Sequence, residues 1–168
     1  IQMELIKAMA LEKPSQFFVS LHETGILARI LPCLDRCFGL DGGPHHGETV
    51  FEHSLLVGNA LPANRPILRL AGFLHDAGKF DAAGMKNGSL TFAGHEKCID
   101  AIQKDLDALR FSSRDRTYIL SLVQAHMRPL TQETTPKAVR RLLAMLDHHG
   151  LSFRDFLRIR IADKRGNL

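Results

Sequence analysis

Apolar positions recur along the chain at intervals of three and four, the spacing of a helix with one buried face, while the strict alternation of a half-buried strand is nearly absent. Capping residues punctuate the pattern: Pro14 and Ser15, Ser112 with Asp115, Thr135 with Pro136, and Ser152 with Asp155 each open an apolar-periodic run. This predicts an all-α protein with helices over residues 2–11, 15–22, 24–30, 48–60, 65–77, 95–109, 113–127, 136–148 and 153–164. Breaks fall at 39–47, 62–66, the Gly-rich stretch 78–94, and 127–135. Residues 1–40 form a small N-terminal helical lobe in this reading, and 41–168 a helical core, together one compact unit.

Several polar residues fall on the apolar stripes. His53 lies three after Val50 and four before Val57, and His75 continues Leu68, Ala71 and Gly72. His126 continues Ile119, Leu122 and Val123, while Asp163 continues Phe156 and Ile159. Four helices thus each turn a metal-capable side chain inward, and Asp76 adjoins His75. An unpaired buried carboxylate costs several kcal/mol, so two inward aspartates require a cationic partner. A single inward histidine is more often a hydrogen-bonded core residue than a ligand, and Asp163 has Arg140, Arg141 or Arg160 as alternative partners. The coincidence of all of them with the run Phe73-Leu74-His75-Asp76-Ala77-Gly78-Lys79 favours a divalent ion.

Composition bounds the rest. The chain has 168 residues, 45% hydrophobic and 24% charged, enough for one core, and excludes a disordered tail or a fibre. A formal net charge of +4 is spread along the chain and identifies no nucleic-acid site, though it assists a phosphate-bearing substrate. Three cysteines, Cys33, Cys37 and Cys98, read as free thiols of a reducing compartment. No apolar run approaches the ~20 residues of a membrane span and the amino end lacks a signal-peptide pattern, so a soluble, cytoplasmic protein is expected. Its start without Met suggests a fragment of a longer chain. Of nine histidines, His22, His45, His148 and His149 read as incidental.

His53, the His75-Asp76 doublet with Gly78-Lys79, and the late Asp163 resemble the signature of HD-domain metal-dependent phosphohydrolases. Within that superfamily the chain is similar to the C-terminal region of bacterial CCA-adding tRNA nucleotidyltransferases. The segments that carry this likeness are Glu12-Lys13-Pro14-Ser15-Gln16-Phe17-Phe18, Gly25-Ile26-Leu27 with Leu31-Pro32, Phe51-Glu52-His53-Ser54-Leu55, Phe92-Ala93-Gly94-His95-Glu96 and Ile161-Ala162-Asp163. The resemblance implies an HD-type helical bundle in which His53, His75, Asp76 and Asp163 ligate a divalent ion. His95 and His126 would line the site, hold a second ion, or serve as acid or base. Mixed nitrogen and oxygen ligands suit Mn, Fe, Co, Ni or Zn better than Mg. Thr49 stands where relatives often carry an aspartate, and Cys33 where an acidic residue is common.

An ion so held lowers the pKa of water near neutral pH and supports attack on phosphorus. Lys79, and more weakly Arg128 and Lys164, are candidate substrate-phosphate contacts, and His46 a candidate outer-shell residue. The expected activity is hydrolysis of phosphoesters of nucleotides or RNA 3′ ends, of the 2′,3′-cyclic phosphodiesterase, 2′-nucleotidase or phosphatase type, with a nucleotide, RNA 3′ end or tRNA as partner. The alternatives are a tRNA-binding or structural tail without turnover, and a stand-alone signalling-nucleotide hydrolase. Gly88-Ser89 with Asp105 and Asp107 is rejected as a nucleotidyltransferase site, because aspartates two apart on a helix diverge by about 200°.

Overall fold

The computed structural model describes residues 1–43 and 47–166, and it is helical apart from one short hairpin. The helices are α1 (Gln2–Ala8), α2 (Ser15–Glu23), α3 (Leu27–Ile30), α4 (Pro32–Asp35), α5 (Val50–Ala60), α6 (Pro66–Leu74), α7 (Lys79–Ala82), α8 (Asp100–Ala108), α9 (Ser113–Ala125), α10 (Pro136–His148) and α11 (Phe153–Gly166). Three of the four expected caps form: Ser112 accepts from the amide of Asp115, Thr135 from that of Ala138 and Ser152 from that of Asp155, whereas α2 opens at Ser15 without a side-chain cap. Thr49 closes a reciprocal capping box with Glu52, which gives it a local role at the start of α5.

α6 is central, packing against α5, α9 and α11, with α11 also laid along α5. Phe18 of α2 meets Phe73 of α6 with ring centroids 4.5 Å apart, fastening the N-terminal helices to this layer. Buried Arg69 makes a second tie. Its guanidinium donates to the carbonyls of Met9, Leu11, Glu12, Gly58 and Asn59 at 2.6–3.2 Å, so every donor is used. Asp105, in α8, is buried and accepts from the amide of Cys33 at 2.8 Å, while Asp107 pairs with Arg116, so the two aspartates serve different elements. Cys33 and Cys37 are free thiols, and burial pushes both pKa values up, that of Cys37 to about 12.

Four expectations about elements need correction. The 24–30 helix shortens to α3, and a separate, unexpected helix, α4, follows after Leu31 leaves the helical region ahead of Pro32. The 65–77 helix stops at Leu74, with His75 as its C-cap, and 95–109 divides into a 3-10 turn at His95–Lys97 and α8. The 78–94 stretch holds α7 and an antiparallel hairpin, β1 (Gly84–Lys86) with β2 (Ser89–Thr91). Its turn is Asn87-Gly88, both at positive φ (51° and 77°), the favoured two-residue hairpin connection. Among the described residues, no helix is long and apolar enough to cross a membrane.

Candidate metal centre

The four inward residues of α5, α6, α9 and α11 converge, and His95 joins them from the 3-10 turn. His53 and His75 Nε2 lie 3.0 and 3.6 Å from Asp163 Oδ1, and 3.8 and 3.4 Å from Asp76 Oδ2. On the other side of the same carboxylate, Asp76 Oδ1 is 3.1 Å from His95 Nε2 and 3.6 Å from His126 Nε2. Asp76 therefore faces two sets of donors, one on each oxygen. His53, His75, Asp76, His95 and His126 are all buried, with Asp163 at the mouth.

The backbone fixes how the rings present themselves. His75 Nδ1 lies 2.8 Å from the carbonyl of Gly72, His95 Nδ1 3.0 Å from that of Phe92, and His126 Nδ1 2.5 Å from that of Val123. Each carbonyl is three residues earlier. His75 and His126 are C-caps, where the last carbonyls of a helix have lost their intrahelical donors. A carbonyl only accepts, so each Nδ1 carries a proton and each ring turns Nε2 toward Asp76. His53 is oriented likewise by Glu48, whose carboxylate is 3.2 Å from its Nδ1. This is the usual support of a metal-binding imidazole.

Ring nitrogens and carboxylates facing one another require positive charge between them. His95 and His126 Nε2 are 3.2 Å apart, and His75 Nε2 is a buried polar atom without a hydrogen-bond partner. Burial outweighs the pull of Asp76 and holds the His126 pKa below its ordinary value. For His75, burial opposes protonation, but Asp76 and Asp163 raise the pKa. Burial would likewise push both aspartates up, yet the surrounding histidines, with Lys79 beside Asp76, hold Asp76 well below the carboxylate range and Asp163 below it as well. The donor atoms of His53, His75 and Asp163 form one group compact enough for an ion, and those of His75, Asp76 and His126 another. Buried His and Asp groups here can hold a divalent metal ion; the nitrogen and oxygen donors suit a transition metal.

A cleft of about 420 Å³ opens over Asp76, His95, His126 and Asp163, walled by the hairpin and by Gly42 and Gly43. Lys79 also lines it. Its ammonium is 2.7 Å from Asp76 Oδ2 and 5.4 Å from the centre of the Phe92 ring, so it is a buried ion-pair partner rather than a solvated loop lysine. Arg128 is exposed and opens onto the neighbouring cavity, and Lys164 is exposed on α11 and does not line the cleft. His45 and His46 lie outside the described residues.

Three contributors were not evident from residue type. Glu48 orients His53. Arg160, one turn before Asp163, donates to the carbonyls of His126 and Arg128, both at 2.7 Å, and so ties α11 to the turn that presents His126. Gly78 permits the close approach of the His95 turn: a Cβ there would lie 2.3 Å from the His95 carbonyl oxygen.

No protein-family model matches the chain. Curated relatives do. The Multifunctional CCA proteins of Burkholderia mallei and Burkholderia pseudomallei are each 30% identical over 98% of this chain, which covers 41% of their length. That of Chromobacterium violaceum is 41% identical over 45% of this chain and 20% of its own. The chain thus spans about two fifths of the Burkholderia relatives, and it is a distant homologue, along nearly its whole length, of part of the Multifunctional CCA protein.

Proposed function

We propose that the chain is an HD-type metal-dependent phosphohydrolase that hydrolyses phosphoesters of nucleotides or RNA 3′ ends. The observation that carries this is the convergence of four Nε2 atoms and two carboxylates at the floor of an open cleft, with the Nδ1 atoms of all four rings engaged elsewhere. His53, His75, Asp76 and Asp163 would hold one divalent ion, and Asp76, His95 and His126 a second. A divalent ion bound there supplies Lewis acidity toward a phosphoryl oxygen and lowers the pKa of water. The chain's own groups do the rest. Lys79 fixes the orientation of Asp76, and His95 or His126, where not committed to an ion, turns Nε2 toward the leaving oxygen as its acid or base.

The test is a screen of purified chain against 2′,3′-cyclic AMP, 2′-AMP and an RNA ending in a 2′,3′-cyclic phosphate, each with Mn, Co, Ni, Zn and Mg. Turnover that disappears in a His75→Ala, Asp76→Ala double variant of native secondary structure is expected. Full activity of that variant would refute the proposal. A second reading, an RNA-binding tail in which the centre is a structural staple, is favoured by the name of the relatives, which concerns CCA. It predicts no turnover with any metal and a large loss of melting temperature on chelation.

A further inference from the structure

The cleft continues away from the centre. Glu96 and Met127 line both it and a second cavity of about 520 Å³ that runs between α9 and α10. Arg128, Pro129 and Met145 are shared in turn by the second cavity and a third, of about 390 Å³, reaching Lys137 and Arg141 on α10. The three adjoin in series through these shared residues, with the candidate metal centre in the first of them, and are together referred to as a trough.

The charge along this trough is one-sided. Lys97, Arg128, Lys137 and Arg141 line the second and third cavities, whose lining includes a single carboxylate, Glu96, at the junction with the cleft. Four arginines outside it do find a carboxylate: Arg36 pairs with Asp81, Arg65 and Arg158 with Asp155, and Arg116 with Asp107. Among the described residues the four trough cations have no carboxylate partner. Lys137 and Arg141 are one turn apart on the same face of α10, where like charges repel, a cost that an external polyanion removes. The floor between them is apolar, with half-buried Met145 and exposed Met127 and Pro129. Cations beside an apolar floor match a flexible strand that carries phosphates on one edge and ring faces on the other.

We propose that this trough is the track of a single-stranded RNA whose 3′ end lies in the cleft, with Lys137 and Arg141 on phosphates upstream of it. The direction of the strand, and the choice of RNA over DNA, rest on the phosphoester reading of the centre, since a 2′,3′-cyclic phosphate requires a 2′-hydroxyl. An acidic peptide would use the charges but not the apolar floor.

The experiment compares the chain with a Lys137→Glu, Arg141→Glu double variant, both positions being exposed and neither lining the cleft over the centre. Anisotropy of a fluorescent RNA oligonucleotide with a non-cleavable 2′-O-methyl 3′ end measures binding across a salt series. Turnover of 2′,3′-cyclic AMP measures the centre. The track predicts RNA binding at least tenfold weaker in the variant, and a plot of log affinity against log salt shallower by about 1.4, near 0.7 for each phosphate of a single strand that is no longer neutralised. Cyclic AMP turnover stays within twofold. Unchanged RNA affinity and slope overturn the proposal, as does competition by polyglutamate equal to that by unlabelled RNA. An equal loss of cyclic AMP turnover also overturns it, because it would move the two charges to the centre. Absence of turnover in both proteins refutes the hydrolase reading while the binding comparison still decides the track.

Discussion

Replacing Gly78 by alanine isolates the coupling between the two halves of the centre. The backbone at Gly78 is ordinary right-handed helix (φ −69°, ψ −13°), so alanine meets no conformational penalty and the effect is purely steric. Its Cβ would lie 2.3 Å from the carbonyl oxygen of His95 and 2.7 Å from that of Cys98, about 1 Å short of ordinary contact. Both obstacles are backbone, so no rotamer change relieves them, and the His95–Cys98 turn must retreat. A retreat of about 1 Å takes His95 Nε2, now 3.1 Å from Asp76 and 3.2 Å from His126, out of reach of both. Overpacking of this kind costs about 1–3 kcal/mol, or roughly 2–12 °C in a domain of this size. The assay is melting temperature together with metal content by elemental analysis. Gly78→Ala is expected to melt lower and to lose affinity for one ion, keeping the group of His53, His75 and Asp163. Gly84→Ala, where the nearest atom is 4.0 Å away, should match the parent. A Gly78→Ala protein with unchanged melting and metal content would disprove the coupling.

Arg69→Met leaves five carbonyls without their donor and cuts the tie between α6 and the chain that follows α1; urea denaturation should show a loss of about 3 kcal/mol or more, and a loss under 1 kcal/mol would contradict the role assigned to it. Buried Asp155 would be raised by burial, but Tyr118, Ser152 and Arg65 hold its pKa below the ordinary value. Its contribution is therefore present in full above about pH 5 and disappears as the pH falls through the unfolded value near 3.9 toward the lower folded one. Asp155→Asn should flatten the acid limb of a stability-against-pH curve between about pH 5 and 2; an unchanged limb would exclude this group. Arg160→Met removes both bonds that hold the His126–Arg128 turn and is expected to weaken binding of the ion nearest His126 about tenfold or more, the range of such supporting contacts; unaltered metal titration would count against it.

The inward placement of His53, His75, His126 and Asp163 was legible because each rides on the stripe that buries its helix, and a stripe is a property of sequence spacing alone. The readiness of the rings to bind was not. It depends on α6 and α9 stopping at Leu74 and Ala125, so that His75 and His126 become C-caps and take the protons of Nδ1 to freed carbonyls. Helix ends are set by a balance of small local terms, and the spacing pattern runs past them. His95 had no stripe; its position follows from the close approach at Gly78, a tertiary contact. The buried state of Lys79 follows from the turn that brings it back to Asp76, and Arg69 was hidden by the most apolar helix of the chain. The hairpin had a readable signal in Asn87-Gly88, but strands of three residues are too short to show alternation.

Whether a divalent ion is held between His53, His75, Asp76 and Asp163 decides the reading of the whole centre. Anomalous scattering from crystals of the chain grown with Mn2+ answers it without reference to activity. The expected result is a peak enclosed by those four side chains, with a second, on the far oxygen of Asp76, bounded by His95 and His126. Peaks confined to exposed carboxylates, with none at the four residues, would contradict it.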